Sequence, residues 1–255
     1  RTVVTGGWGV VKAWDTATGE ERWSTLASLD YTYGAACSRR GDRIAVTTRD
    51  GHLVTLDAAT GAILRSRRLF TGRLLGVDWT PDGQVVVGTE DGRTLLVSAT
   101  GEPSPRELIE HEGPVASVAV DLAGRRIASG SGDQAIWDRG ARSSLGGDHS
   151  VRLWRGERGQ GTSRILGEHV GTVHTLAFSL SDDRLASGAE DGAVAIWPLT
   201  EIGADPVWLR GPGSPARALV WSADSRRLIV AHHNGLVMVW DTAEGAPLLV
   251  LDGPE

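Results

Sequence analysis

The chain has 255 residues with 26 Lys plus Arg against 32 Asp plus Glu, a net charge of −6; this argues against a nucleic-acid or anionic-membrane partner, since both demand a positive field. Cys37 is the only cysteine, which excludes an internal disulfide and a cysteine-based zinc site and points to a reducing compartment. No signal-like stretch opens the chain and no apolar run approaches the roughly 20 residues of a membrane helix, so a soluble, cytoplasmic protein is expected. Lys12 is the only lysine, a bias that reads as coding composition rather than as recognition chemistry. The first residue is Arg1, not Met, and the chain is expected to be part of a longer one.

The predicted elements are short strands. The chain opens on TVVTGG (residues 2–7), followed by GVVKAW ending at Trp14 and by DTATGEERW (15–23). An apolar strand centred on Cys37 comes next, then RIAVTT (43–48), the turn Asp50-Gly51, GHLVTL ending at Leu56, and DAATGAILR (57–65). Trp79, QVVVGT (84–89), the turn Asp91-Gly92 and GRTLLV ending at Val97 repeat that order. It returns with Phe178, RLASGA (184–189), Asp191-Gly192 and GAVAIW ending at Trp197, and again with Trp221, RLIVAH (227–232), Asn234-Gly235, GLVMVW ending at Trp240 and DTAEGAPLLVL (241–251). Period-2 alternation and Asp-Gly or Asn-Gly turns mark hairpins. The endpoints recur every roughly 42 residues, the period of a propeller whose blades each contain four strands, a to d. The expectation is one all-β propeller domain over residues 1–255, with the innermost strand a of the first blade missing from the chain.

Residues 125–155, RRIASGSGDQAIWDRGARSSLGGDHSVRLWR, carry the strand b and c signature twice. Ser129, Asp133 and Trp137 match Ser144, Asp148 and Trp154, yet the two Trp lie only roughly 17 residues apart, far less than one period. Because an insertion has no reason to carry a complete signature, the favoured expectation is seven blades, with a segment around 138–142 missing. The alternative is six blades with an insertion of about 15 residues.

The run EHVGTVHTLAFSLSDDRLASGAEDGAVAIW (168–197), with WDTATG and VWDTAEG, resembles the WD-repeat family. The resemblance implies a buried tetrad of His, Ser or Thr, Asp and Trp in each regular blade. Carried over, it groups His169, Ser187, Asp191 and Trp197; His111, Ser129, Asp133 and Trp137; and Ser144, Asp148 and Trp154. These are scaffold, not catalytic triads: three copies of a nucleophile have no mechanistic use, whereas satisfied buried polar groups stabilise a core. Other blades depart from the pattern, with Leu56 and Val97 for Trp, Asn234 for Asp, Trp8 at the first blade's turn, and Ser28, Phe70 and Pro212 at the His positions.

GERGQGTS (156–163) misses a phosphate loop because Thr162 replaces the lysine and no helix follows. His232 and His233 point to opposite faces of a strand and cannot share a metal unaided. The pairs Arg39–Arg40, Arg125–Arg126 and Arg226–Arg227 read as charged blade edges, and Cys37 as a small core residue. No catalytic residue, metal or cofactor is expected.

The resemblance implies that the loops from d to a and from b to c form the contact face. In this chain they present Trp8, Tyr31, Tyr33, Arg49, Arg73, Glu90, His174, Glu190, Arg217 and His233. Aromatics and arginines dominate binding energy, so the expected function is non-enzymatic recognition of a protein or peptide, as the sensor part of a multidomain bacterial signalling or defence protein covalently linked to further domains. The alternatives are a propeller-type hydrolase or lactonase, and an oligomerisation scaffold.

Overall fold

The structure is a computed structural model that describes residues 2–99, 105–109, 111–138, 141–156, 163–181, 183–201 and 203–253; the side chains of residues 109, 134–138 and 141–145 lie outside the description. Every element is a strand, and no helix occurs among the described residues. The chain divides into two compact units, Arg1–Glu110 and His111–Glu255.

In the first unit, β1 (Thr2–Gly7), β2 (Val10–Asp15) and β3 (Glu21–Leu26) make a three-stranded antiparallel sheet. Four-stranded sheets follow from β4 (Thr32–Cys37), β5 (Arg43–Thr48), β6 (His52–Asp57) and β7 (Ile63–Arg68), and from β8 (Leu74–Trp79), β9 (Gln84–Thr89), β10 (Arg93–Ser98) and β11 (Arg106–Ile109). Strands b and c of the second and third blades, such as β5 and β6, are buried almost throughout. Their apolar runs fit strands covered on both faces, while the outer strand β7 is mostly exposed. Adjacent blades are tied by side-chain bonds. The Trp79 indole N–H donates to the Ala36 carbonyl at 2.9 Å, and the Thr47 hydroxyl to Leu75 O at 2.6 Å.

The first sheet begins at strand b among the described residues. Tyr33, Ala35 and Cys37 share one face of β4 and all three are exposed. Cys37, read from its pattern as a small core residue, lies on this exposed face. Trp79, which stands at the same place in the next blade, is buried because β4 covers it.

The second unit shows how the doubled signature folds. Its strands are β12 (Val115–Val120), β13 (Arg126–Ser131), β14 (Gln134–Asp138), β15 (Ala141–Leu145), β16 (Ser150–Arg155) and β17 (Ser163–Glu168). Then come β18 (Val173–Phe178), β19 (Arg184–Ala189), β20 (Ala193–Pro198) and β21 (Val207–Arg210), and finally β22 (Ala216–Trp221), β23 (Arg227–His232), β24 (Val237–Asp241) and β25 (Pro247–Leu251). The first sheet runs β12-β13-β16-β17, and β14 pairs only with β15. Asp138 faces Ala141 across that hairpin, so no missing segment is needed, and six blade sheets form rather than seven.

The reason is a glycine gate. A Cβ on Gly147 would lie 2.6 Å from the Gly132 carbonyl carbon, so the chain leaves and rejoins the blade through two backbones in contact. The hairpin of β14 and β15 thus branches from the turn between b and c, and the blade keeps its register, with Ile127 opposite Trp154 just as Leu185 is opposite Trp197.

This contact predicts that Gly147→Ala costs about 1–3 kcal/mol by forcing the gate apart. Gly146→Ala should be near neutral, because a Cβ there meets only Asp133 Oδ1 at 3.9 Å. Urea unfolding of both variants checks the difference.

Candidate interaction face and the bonds beneath it

Beneath the loops, one set of buried hydrogen bonds fixes each regular blade. The Trp197 N–H donates to Ser187 Oγ at 2.8 Å, and His169 Nε2 is bonded to the same hydroxyl at 2.8 Å. Asp191 accepts from the Val170 and Ala193 amides, at 3.1 and 2.9 Å, which joins the loop preceding strand a to the turn between b and c. His169 Nδ1 stands 3.5 Å from Asp191 Oδ2 and makes no hydrogen bond.

The two other expected groupings collapse into one. His111 bonds Ser129 Oγ through Nε2 at 2.7 Å and Asp148 Oδ1 through Nδ1 at 3.0 Å, and the Trp154 N–H donates to Ser129 Oγ at 3.2 Å. The tetrad is His111, Ser129, Asp148 and Trp154, drawn from both halves of the doubled signature. Asp133, expected in its place, accepts from the Gly147 amide at 2.8 Å and lies 3.4 Å from His149. Trp137 and Ser144 fall on β14 and β15, whose side chains are outside the described residues, as are residues 157–162 of the GERGQGTS stretch. Burial opposes the charge on Asp148, but the bonds from His111 and Ser150 and the His111 charge overcome it and hold this carboxyl well below the usual carboxylate range.

The other blades pair their residues differently. Trp14 donates to Thr5 Oγ1 at 2.9 Å. Where strand c ends in Leu56 or Val97, the strand b position holds Val46 or Val87, so both partners are apolar and nothing polar is stranded. There the turn aspartates are held by threonine hydroxyls instead, Thr48 to Asp50 at 2.5 Å and Thr89 to Asp91 at 2.6 Å. The last blade is mismatched: Trp240 occupies strand c while Val230 stands where the regular blades place the hydroxyl on strand b, leaving the indole N–H buried without a partner.

The loops above these bonds carry the residues expected on the contact face. In the first unit, Trp8 sits at φ 48° and Gly9 at φ 75° in the turn between β1 and β2. Successive positive φ values are those of a type I′ turn, which favours Asn-Gly. Gly9 O accepts from the Ala27 and Ser28 amides, folding the next loop onto this turn. Trp8 is 77% exposed, with its ring 4.3 Å from that of Tyr31 between centroids. Arg49 lies 3.7 Å from Asp30, and Tyr33 is exposed, though its partial burial pushes its phenol up against the pull of Arg73 and Arg49. Arg73, expected on the face, is buried beneath it; Glu90 accepts from its backbone amide at 3.0 Å.

In the second unit, His174 Nε2 contacts Glu190 Oε2 at 2.5 Å and Arg217 Nη1 at 2.9 Å, while Arg217 reaches the same Glu190 oxygen at 3.3 Å. Burial pushes His174 down, Glu190 opposes this, and Arg217 and His233 add to it. His233 is exposed and His232 buried, the latter bonded through Nδ1 to Ser214 O at 2.9 Å. Among the described residues, no three His, Cys, Asp or Glu side chains converge as a metal site.

Blade sheets of four antiparallel strands, their indole-hydroxyl bonds and their paired loops define a β-propeller protein of WD-repeat type. A family model described as outer membrane protein assembly factor BamB matches residues 7–248, and the chain belongs to that propeller family. It is also similar to WD-repeat proteins. It is 30% identical over 191 residues to transducin beta-like protein 3 of Bos taurus, covering 73% of this chain and 22% of that protein. It is 24% identical over 272 residues to a guanine nucleotide-binding protein subunit beta of Nicotiana tabacum, covering 89% and 71%. To a chromatin assembly factor 1 subunit FAS2 homolog of Oryza sativa it is 26% identical over 153 residues, covering 55% and 27%. The chain thus spans about a fifth of the first relative's length.

Two stability predictions follow from the bonds. Val230→Thr, supplying to Trp240 the hydroxyl that Thr5 supplies to Trp14, should stabilise by about 1 kcal/mol in urea unfolding. Burial pushes the His169 imidazole down against the attraction of Asp191, so its folded value lies below the ordinary imidazole value of about 6.5. Its contribution is complete above the unfolded value and is lost as pH falls through that value toward the folded one. Stability should decline as pH falls below the ordinary imidazole value of about 6.5, and less steeply in His169→Gln.

Proposed function

We propose that this chain is a non-enzymatic recognition scaffold that binds a protein or peptide through the loops joining d to a and b to c. The observation that carries the reading is Trp8. A left-handed conformation at a bulky residue costs on the order of 1–3 kcal/mol, and here that strain holds a mostly exposed indole against Tyr31. Exposed, fixed aromatics are the side chains that anchor interfaces. Arg217, bonded to His174 and beside Glu190, supplies a second, charged patch in the other unit. Two of the similar proteins are named as subunits of larger assemblies, which supports a binding role. A cytoplasmic place in a bacterial multidomain signalling or defence protein belongs to the same reading and stands on composition.

Trp8→Gly separates recognition from folding. Glycine takes the positive φ freely, so unfolding stability should stay within about 1 kcal/mol of the parent or rise. Peptides selected against the purified protein from a random library should lose affinity at least about tenfold, or 1.4 kcal/mol. Selected peptides that bind Trp8→Gly and Arg217→Ala as tightly as the parent overturn the assignment.

A further inference from the structure

The antiparallel order of the strands places the turns from a to b and from c to d at the end of each blade away from the proposed face. At that end of the second unit a cavity of about 620 Å³ opens between the first two of its blades. Arg125, Arg126, Arg155, Asp121, Ala123 and Leu199 line it. Asp121 is the one acid in this lining among the described residues, and its carboxylate is engaged locally. Oδ1 accepts from the Arg125 and Arg126 amides at 2.8 and 3.1 Å, and Oδ2 from Arg126 Nε at 2.8 Å. Three guanidiniums against one carboxylate leave an excess of two positive charges in the lining.

The next blade junction shows that this opening is particular to its residues. Arg184 stands at the start of strand b as Arg126 does, with its guanidinium 4.9 Å from the Trp221 ring centre; Arg126 stands 5.5 Å from that of Phe178. Arg184 donates to the Thr242 hydroxyl at 2.9 Å and to Ser225 O at 2.7 Å, filling the space between blades. By strand register Leu199 takes the place of Thr242. It offers no hydroxyl, and its carbonyl is taken by Arg155 at 2.9 Å. The strain of gathered cations is visible nearby. Arg164, with its Nε buried and unbonded, is pushed down by burial and by the charge of Arg155.

We propose that this cavity binds a phosphate monoester. A dianion matches the charge excess, guanidinium forks bind phosphate in bidentate fashion, and Ala123 and Leu199 give the organic part an apolar wall. The volume exceeds that of inorganic phosphate alone, which favours a phosphorylated serine or threonine of a partner over a free ion. This site is independent of the face proposed above.

Calorimetry on the whole chain tests it with three probes at matched ionic strength: inorganic phosphate, a short phosphoserine peptide and its unphosphorylated form. The phosphopeptide should bind, the unphosphorylated peptide should not, and Arg125→Ala should weaken binding at least about tenfold. Arg125 is exposed and its loss leaves the strands intact, as circular dichroism will report. Arg155→Lys keeps the charge and should weaken binding less. Inorganic phosphate binding as tightly as the peptide supports the anion site and identifies a small-molecule source. Absence of binding by both phosphate probes, or equal binding to parent and Arg125→Ala, overturns the proposal.

Discussion

An indole N–H at the end of strand c, buried inside a blade, must find an acceptor. In this chain the acceptor is a hydroxyl on the fourth residue of strand b, Ser129 or Ser187, and the more exposed Trp14 uses Thr5 in the same way. The requirement works on pairs, not on single residues. Where the indole is replaced by Leu56 or Val97, the hydroxyl is replaced as well, by Val46 or Val87, and the pair is neutral in polarity. Removing both partners of a buried bond costs little, whereas removing one leaves the desolvation penalty in full. Trp240, with Val230 at the hydroxyl position of strand b, is the one pair that breaks this rule among the described blades.

The same bonds couple the core to the loops. Where His169 or His111 joins the hydroxyl, the turn aspartate draws the preceding loop onto the blade, as Val170 on Asp191 shows. In the second and third blades, which lack this histidine, the aspartate is kept in place from within the turn by Thr48 or Thr89. The loops of the candidate face are therefore held in two ways, one reaching across from the neighbouring loop and one local. The local kind leaves the next loop to be positioned by backbone contacts such as Gly51 O with the Leu69 amide.

Strand positions and turns were legible because alternation and Asp-Gly or Asn-Gly pairs report local backbone geometry, and the period reports how many strands a blade needs. The doubled signature was not, because Ser, Asp and Trp at the right spacing are necessary for a blade but not sufficient. Which Asp meets which His is decided by strand pairing, and Asp148 outcompetes Asp133 only because β13 pairs with β16. The glycines at 132, 146 and 147 were the available signal, since a hairpin that leaves and re-enters a sheet at one point needs residues without side chains. Arg73 was misread because exposure depends on how a loop packs against its surroundings, which the pattern of a single strand does not contain: Arg73 is buried, with Glu90 accepting from its amide. The aromatic pair Trp8 and Tyr31 was placed by its loops alone, but its strained turn could be seen only in three dimensions.

The gate at Gly132 and Gly147 has a bearing on engineering. The two backbones meet where the segment leaves and rejoins the blade, and the host strands β13 and β16 pair with each other rather than with it. Loop-closure entropy grows only logarithmically with added residues, and here the ends are already held together. The site is a natural splice junction, where a reporter or an epitope can replace β14 and β15 while the host sheet stays whole.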